Sequence, residues 1–211
     1  MSTVTNKKEL RMQRIKLIAI IALFVGPVIA AALWHVKSDQ WRPAATTNYG
    51  ELITPARPLV NFSMPQLNGT LVNQDLLRGH WTLVYIGAAD CDPACQKNLY
   101  NIRQIRIALN EKIDRLERLW IITSMQNSEH LPALLSEHPG LQVLQPATDQ
   151  LPEFLQQFTI EADAASASAS VSGRVYLIDP LGNLMMRYPA DAEPKAILKD
   201  ILRLLKTSWI G

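Results

Sequence analysis

The stretch HWTLVYIGAADCDPACQKN, residues 80–98, decides the fold. Its first part, 80–88, is an almost continuous apolar run, which is typical of a strand buried on both faces. Pro93 suits the first turn of a helix, and the only two cysteines of the chain, Cys91 and Cys95, lie on either side of it. The sequence therefore predicts a buried strand, a short turn and a helix, with both thiols at the junction.

Three roles are open to the cysteine pair: a redox couple, a metal clamp or a structural disulfide. Residues four apart on a helix have Cα atoms about 6 Å apart, a separation that a disulfide accepts. Two thiolates on one turn can also hold a soft ion such as Cu(I). A helix N-terminus favours the thiolate form, whereas Asp90 and Asp92 oppose it. Because a disulfide across so short a loop constrains the unfolded chain very little, redox or metal chemistry is favoured over a structural bridge.

The segments around the cysteines alternate between strand and helix patterns. Apolar residues in steps of three and four predict a long helix: Cys95, Leu99, Ile102, Ile105, Leu109, Ile113 and Leu116. Strand patterns occupy 59–69, 119–124, 141–147, 174–178 and 184–188, and helix patterns occupy 128–137, 151–160 and 193–206. An Ala/Ser-rich stretch, 162–170, is predicted to be a flexible loop. This order predicts an α/β, thioredoxin-like domain.

Other charged and metal-binding side chains form no second candidate site. The cations along and after the long helix are predicted to form a solvated face: Arg103, Arg106, Lys112, Arg115 and Arg118. His80, His130 and His138 are predicted to be exposed, and Met185 and Met186 are predicted to pack within a hairpin. The net charge of +2 originates in the basic N-terminal residues, so nucleic-acid binding has no support.

Residues 17–34 are all apolar, about the length that crosses a bilayer. We expect a cytoplasmic tail over 1–16, a transmembrane helix over 17–36, a linker over 37–58 and a thioredoxin-like domain over 59–208. The basic flank predicts a cytoplasmic N-terminus, which places the domain in the periplasm of a bacterial inner-membrane protein; a cleaved signal peptide is the alternative. In that oxidising compartment two cysteines form a disulfide unless they are kept reduced or metallated.

Two stretches, HWTLVYIGAADCDPACQKNLYNIRQ (80–104) and VYLIDPLGNL (175–184), resemble landmarks of the Sco (SenC) family of cytochrome c oxidase assembly proteins. The resemblance covers about residues 56–206, and a single N-terminal membrane anchor is usual in the family. It implies a thioredoxin-like fold that binds copper through two cysteines and a histidine. It also implies service to the dinuclear copper centre of oxidase subunit II, as metallochaperone or thiol reductant, with oxidase subunits or assembly factors as partners.

By this resemblance Cys91 and Cys95 match the family's two thiol ligands. The family's histidine position falls on Val171, and no histidine follows His138. The usual cysteine flank, CPxxCP, is replaced by CDPACQ. The chain thus resembles a divergent Sco member without the histidine, in which Cys91 and Cys95 act as a redox pair or hold Cu(I) with an unknown third ligand.

Two related enzyme classes fit less well. A thioredoxin-type oxidoreductase has CxxC and a proline before the strand that faces the disulfide, and residues 153–179 contain no proline. A peroxiredoxin needs a threonine three residues before its cysteine, where this chain has Ala88. The remaining alternative is a non-catalytic assembly or scaffold protein with a thioredoxin-like docking domain and a structural disulfide.

Overall fold

The computed structural model describes residues 3–37, 47–59, 62–145, 147, 149–160 and 171–210. The chain divides into two compact units, Met1–Thr47 and Asn48–Gly211. The first unit contains helix α1, Thr3–Lys37. Its segment Leu10–Trp34 is 25 residues long and apolar enough to cross a membrane, because a helix of that length extends about 38 Å. The predicted N-terminal apolar helix is confirmed as a candidate membrane span.

The second unit is built on a mixed sheet. Its strands are β1 (Glu51–Pro58), β2 (Ser63–Pro65), β3 (Leu71–Asn73), β4 (Trp81–Gly87), β5 (Leu116–Ile122), β6 (Gln142–Leu144), β7 (Val175–Ile178) and β8 (Asn183–Tyr188). Six of them form one sheet in the order β1-β8-β7-β4-β5-β6, and β2 pairs with β3 in a separate hairpin. The pairs β4–β5 and β5–β6 are parallel, whereas β4–β7, β7–β8 and β8–β1 are antiparallel. The most apolar strand therefore lies inside the sheet.

Helices cover both faces of this sheet. Their bounds are α2 (Pro93–Ala108), α3 (Leu131–Ser136), α4 (Leu151–Gln156) and α5 (Pro194–Thr207). All seven residues of β4 are buried, and their side chains alternate between two apolar clusters, as the period of a strand requires. One cluster joins β4 to α2, α3 and α5. The other joins β4 to α4. This layered arrangement confirms the predicted α/β, thioredoxin-like architecture.

A strand lies where the sequence predicted a linker. β1 occupies the last part of the predicted linker 37–58 and pairs with β8, placing Leu52 opposite Met186. Its sequence, ELITPARP, contains two prolines, and Ile53 is its single buried residue. Proline is tolerated at a sheet edge because an edge residue needs no second ladder bond. An edge strand with a single buried side chain has no alternating apolar pattern, and the sequence therefore did not predict this strand. The predicted loop 162–170 lies outside the described residues.

Two polar residues predicted to be exposed are buried. Arg118 is 2% exposed and His138 is 4% exposed. The predicted long helix ends at Ala108, and a 3-10 turn then leads into β5; Arg118 is therefore a strand residue that lies on the same side as the core residues Leu116 and Trp120. His138 lies in the turn after α3, where its amide donates to Leu135 O at 3.0 Å. The predicted exposure of His80 and His130 is confirmed.

Candidate functional site

The cysteines lie at the junction of β4 and α2, as predicted. The chain leaves β4 at Gly87 and enters α2 at Pro93. Between them Cys91 adopts a left-handed backbone conformation with φ +35°, and its amide donates to Ala88 O at 3.3 Å. Few non-glycine residues adopt positive φ, so this turn is a defined feature of the site. It brings the first cysteine back against the first turn of the helix, beside Cys95.

The two cysteines are joined by a disulfide. The sulfur atoms are 1.95 Å apart and the Cα atoms are 5.1 Å apart. The side chains are 3% and 4% exposed, although the residues between them are exposed. The bond therefore lies beneath the exposed residues 92–94 of the turn that carries it.

Asp92 caps the helix that follows. Its Oδ1 accepts from the Cys95 amide at 2.8 Å, so one of the unpaired amide donors at the start of α2 is used by a carboxylate. The amide side chain of Gln96 donates to Cys91 O at 3.0 Å. In the reduced state, the charge of Asp92 opposes the thiolate that the helix dipole would favour.

A cavity of about 260 Å³ opens beside the disulfide. Three stretches of the chain meet at it, and their lining residues include Tyr85, Asp90, Asn98, Ser172 and Ala190, together with both cysteines. The Asn98 side chain is 9% exposed and donates to Ala190 O at 3.4 Å. Polar side chains of Asp90, Asn98 and Ser172 therefore lie among apolar residues in the lining of this cavity.

Tyr85 forms the buried side of the cavity. Burial raises the pKa of its phenol to about 12, and the negative charges of Asp92 and Asp90 add to that effect. The phenol is consequently neutral at physiological pH. A Cβ atom on Gly87 would lie 2.8 Å from Tyr85 Cε1, so the glycine is needed where the tyrosine ring crosses the strand. Tyr85 therefore packs tightly against the backbone that leads into the cysteine turn.

No group of three metal-binding side chains occurs in the part of the chain that the structure describes. Val171, where the sequence resemblance predicts the family's histidine position, is 1% exposed, and its carbonyl oxygen accepts from the Tyr176 hydroxyl at 3.1 Å. Its apolar side chain packs in the core. Met186 is also buried in the core, as predicted, and Met185 is partly buried against it. Reduced Cys91 and Cys95 would thus supply two soft ligands, and neither Val171 nor these two methionines adds a third.

The sequence did not identify Tyr85 and Asn98 as site residues. Tyr85 is one of several apolar letters in the strand pattern, and Asn98 lies on the helix between apolar positions. The available signal was their spacing: Tyr85 lies two residues before the end of β4 and Asn98 lies one turn after Cys95. Both positions therefore face the strand-to-helix junction.

Comparisons with known proteins agree with this architecture. The family model described as "Transmembrane-like, thioredoxin-like, C-terminal domain" matches residues 81–208. The SCO2-like protein of Rickettsia felis is 26% identical over 198 residues, covering 88% of this chain and 94% of the relative. These matches confirm the resemblance to the Sco family.

Solved structures give the same fold. Yeast Sco1 with copper bound superposes with a TM-score of 0.58 at 18% identity, covering 78% of this chain and 96% of that one. BsSco, described as a Sco-family member with a disulfide switch, gives 0.55 at 14% identity, covering 75% of this chain and 99% of that one.

Proposed function

The chain belongs to the transmembrane-like, thioredoxin-like family, and from that premise we propose that it is a Sco-like protein that assists cytochrome c oxidase assembly by thiol–disulfide exchange at Cys91 and Cys95. The disulfide carries the proposal. It joins residues only four apart, so it adds little to stability through the unfolded state. It also lies against a cavity whose lining includes the polar side chains of Asp90, Asn98 and Ser172. The disulfide switch described for BsSco supports the same reading.

In this proposal the reduced form of the protein is the electron donor. One thiolate attacks a disulfide of the partner, and a mixed disulfide forms while the partner's other sulfur leaves as a thiolate. The second cysteine then attacks the mixed disulfide. The partner departs with two thiols, two electrons have been transferred, and the Cys91–Cys95 bond has formed. A separate thiol reductant of the same compartment then restores the pair. The cavity beside the bond is where the partner's cysteine-bearing segment would bind.

We also propose that α1 anchors the protein in a bacterial inner membrane. Leu10–Trp34 has the required length and composition, and the basic residues of the tail favour a cytoplasmic N-terminus. The thioredoxin-like unit then faces the periplasm, where a disulfide is stable. A reporter enzyme that is active only outside the cytoplasm, fused to the C-terminus, should therefore be active; activity of a cytoplasmic reporter at that position would reverse the orientation.

Delivery of Cu(I) to the oxidase is a second candidate function. Two cysteines four residues apart supply soft ligands suited to Cu(I), and yeast Sco1 has been solved with copper bound. Val171 cannot act as a third side-chain ligand because it is a buried aliphatic residue. In this proposal copper is a cargo held by two thiolates and released more readily than from a site with three protein ligands.

Anaerobic titration of the reduced full-length chain with Cu(I), in competition with a chelator, tests this second function. We expect one Cu(I) per chain, with binding lost in Cys91→Ser because a single thiolate remains. Val171→His should tighten the complex by adding an imidazole ligand. Absence of competitive binding by the reduced wild-type chain would exclude copper delivery and leave thiol exchange unaffected.

Replacement of both cysteines tests the proposed exchange function in cells. A strain whose only copy carries Cys91→Ser and Cys95→Ser should have strongly reduced cytochrome c oxidase activity, although the protein remains present at its normal level. Oxidase activity equal to that of the wild type would instead favour the scaffold alternative, in which the thioredoxin-like unit is a docking domain and the disulfide is structural. An immunoblot of the membrane fraction separates loss of function from loss of the protein.

A further inference from the structure

A cluster of basic side chains lies in the thioredoxin-like unit, away from the disulfide. Arg103 of α2, Arg118 of β5 and His138 of the turn after α3 meet at one short segment. The guanidinium of Arg103 donates to Glu137 O, and Nη2 of Arg118 donates to Pro139 O at 2.5 Å. His138 lies between these two acceptors in the chain. The three side chains are therefore brought together by a segment of three residues.

This cluster is separate from the cysteine site. Arg118 is opposite Leu83 in the parallel pair β4–β5, and the cysteine turn begins only after Gly87. Four residues of strand correspond to about 13 Å. The two sites thus lie towards opposite ends of the same strand and are not parts of one cavity.

Several nitrogen atoms of the cluster are buried without a protein partner: Arg103 Nε, Arg118 Nε, Arg118 Nη1 and His138 Nδ1. Arg118 and His138 are themselves 2% and 4% exposed. Buried polar groups are nearly always hydrogen-bonded, and an exception indicates an unaccounted ligand, ion or water. The carbonyl oxygens of Glu137 and Pro139 each accept from one guanidinium donor. The nitrogen atoms named above have no acceptor among the described residues.

The charge of the cluster is also unbalanced. Among the described residues no carboxylate forms an ion pair with Arg103 or Arg118, whereas Glu117 pairs with Arg106 at 3.4 Å. A buried cation without an opposite charge is unfavourable. Burial lowers the pKa of Arg118 to about 10; the nearby Arg106 and Arg103 contribute in the same direction, and the carboxylate of Glu117 opposes them in part. Burial and the positive charges of Arg103 and Arg118 lower the pKa of His138, whereas the carboxylate of Glu137 acts in the opposite direction. An anion would compensate the two guanidinium charges.

We propose that Arg103, Arg118 and His138 form a binding site for a small oxyanion of the phosphate class. Such a ligand has several acceptor oxygens, which matches the unpartnered guanidinium donors. Two cationic groups and a histidine that can donate from Nδ1 provide both the charge and the hydrogen bonds that it requires. A cavity of about 440 Å³ is lined by Gly140, and a Cβ at that residue would lie 3.8 Å from Arg118 Nη2. Gly140 therefore lies between this cavity and the Arg118 guanidinium, although none of the three cluster residues lines the cavity itself.

Calorimetric titration of the full-length chain in phosphatidylcholine nanodiscs tests the site. Inorganic phosphate is added in one arm and glycerol phosphate in the other, against chloride at equal ionic strength. We expect saturable binding with one site per chain. Arg103→Gln, which changes the least buried member of the cluster, should weaken binding at least about tenfold, the loss typical of a charge-assisted hydrogen bond. Arg118→Lys keeps the charge and removes the planar set of donors, so it should also weaken binding.

The matched control is Arg78→Gln, which removes an arginine with a 58% exposed side chain elsewhere in the same unit and should leave the affinity unchanged. Binding of phosphate alone indicates a site for the free anion. Binding of glycerol phosphate as well indicates that a phosphate ester also fits. The proposal is overturned if neither compound binds saturably, or if Arg78→Gln weakens binding as much as Arg103→Gln does. The cysteine pair takes no part in this test, so its result is independent of the proposed redox function.

Discussion

A chain with only one cysteine of the pair, Cys91→Ser or Cys95→Ser, is expected to accumulate in a covalent complex with an oxidase subunit or another assembly factor. Thiol exchange passes through a mixed disulfide, and the second cysteine normally resolves it. The two cysteines are four residues apart in one turn, so in the wild type the second thiol lies beside the mixed disulfide and can attack it. With the resolving cysteine absent, the mixed disulfide should persist in the variant that retains the attacking cysteine.

The complex would be detected after alkylation of free thiols in intact cells, as a band that disappears from a gel on reduction. Mass spectrometry of that band identifies the partner. The double variant Cys91→Ser/Cys95→Ser is the matched control because it has no thiol. A reducible complex in the double variant would show that the band does not involve this pair. No complex in either single variant would contradict the exchange mechanism.

Asp200→Ala is expected to lower the free energy of unfolding by about 2–4 kcal/mol. The carboxylate of Asp200 is 2% exposed and accepts from the amides of Tyr49 and Gly50, each at 2.9 Å. It also accepts from the Tyr188 hydroxyl at 3.4 Å. This group therefore connects α5 to the segment that leads into β1 and to the end of β8. Its removal leaves buried donors without acceptors, and an unsatisfied buried donor destabilises the fold by its full desolvation penalty.

Denaturant unfolding of the full-length chain in detergent micelles, followed by tryptophan fluorescence, measures this change. Asp75→Ala is the matched control, because the Asp75 side chain is 69% exposed and pairs with Arg78 only at 4.0 Å. We expect the control to change the free energy of unfolding by less than about 0.5 kcal/mol. A loss for Asp200→Ala as small as that of the control would show that the network does not hold the edge strand in place.

The parts of the fold that the sequence predicted are those with a continuous or periodic apolar pattern. β4 is buried along its whole length, and the hairpin β7–β8 encloses the predicted turn, in which Asp179 Oδ1 accepts from the Asn183 amide at 2.8 Å. β1 was not predicted because its pairing depends on β8, a partner more than 120 residues away. A strand that is stabilised mainly by pairing with a distant strand cannot be predicted from its own local sequence.

The candidate site likewise has a part that the local sequence predicted and a part that depends on distant segments. The sequence located both cysteines and the junction that carries them, because a strand run, a proline and two thiols occur within 19 residues, 80–98. The cavity could not be predicted, since Ser172 and Ala190 reach it from segments far along the chain. The burial of Arg118 also depended on where α2 ended. The helix pattern continued to Leu116, whereas the chain turns at Asn110, which has φ +48°, and re-enters the sheet.

The central claim is that Cys91 and Cys95 form a redox couple and not a structural bridge, and the reduction potential of their disulfide tests it most directly. The full-length chain in detergent micelles would be equilibrated with thiol–disulfide buffers of known potential, and its free thiols alkylated and counted. Structural disulfides resist reduction at potentials down to about −300 mV, whereas disulfides that exchange with partners have higher potentials. We therefore predict a value above about −300 mV; a value clearly below it would contradict thiol exchange as the function of this pair.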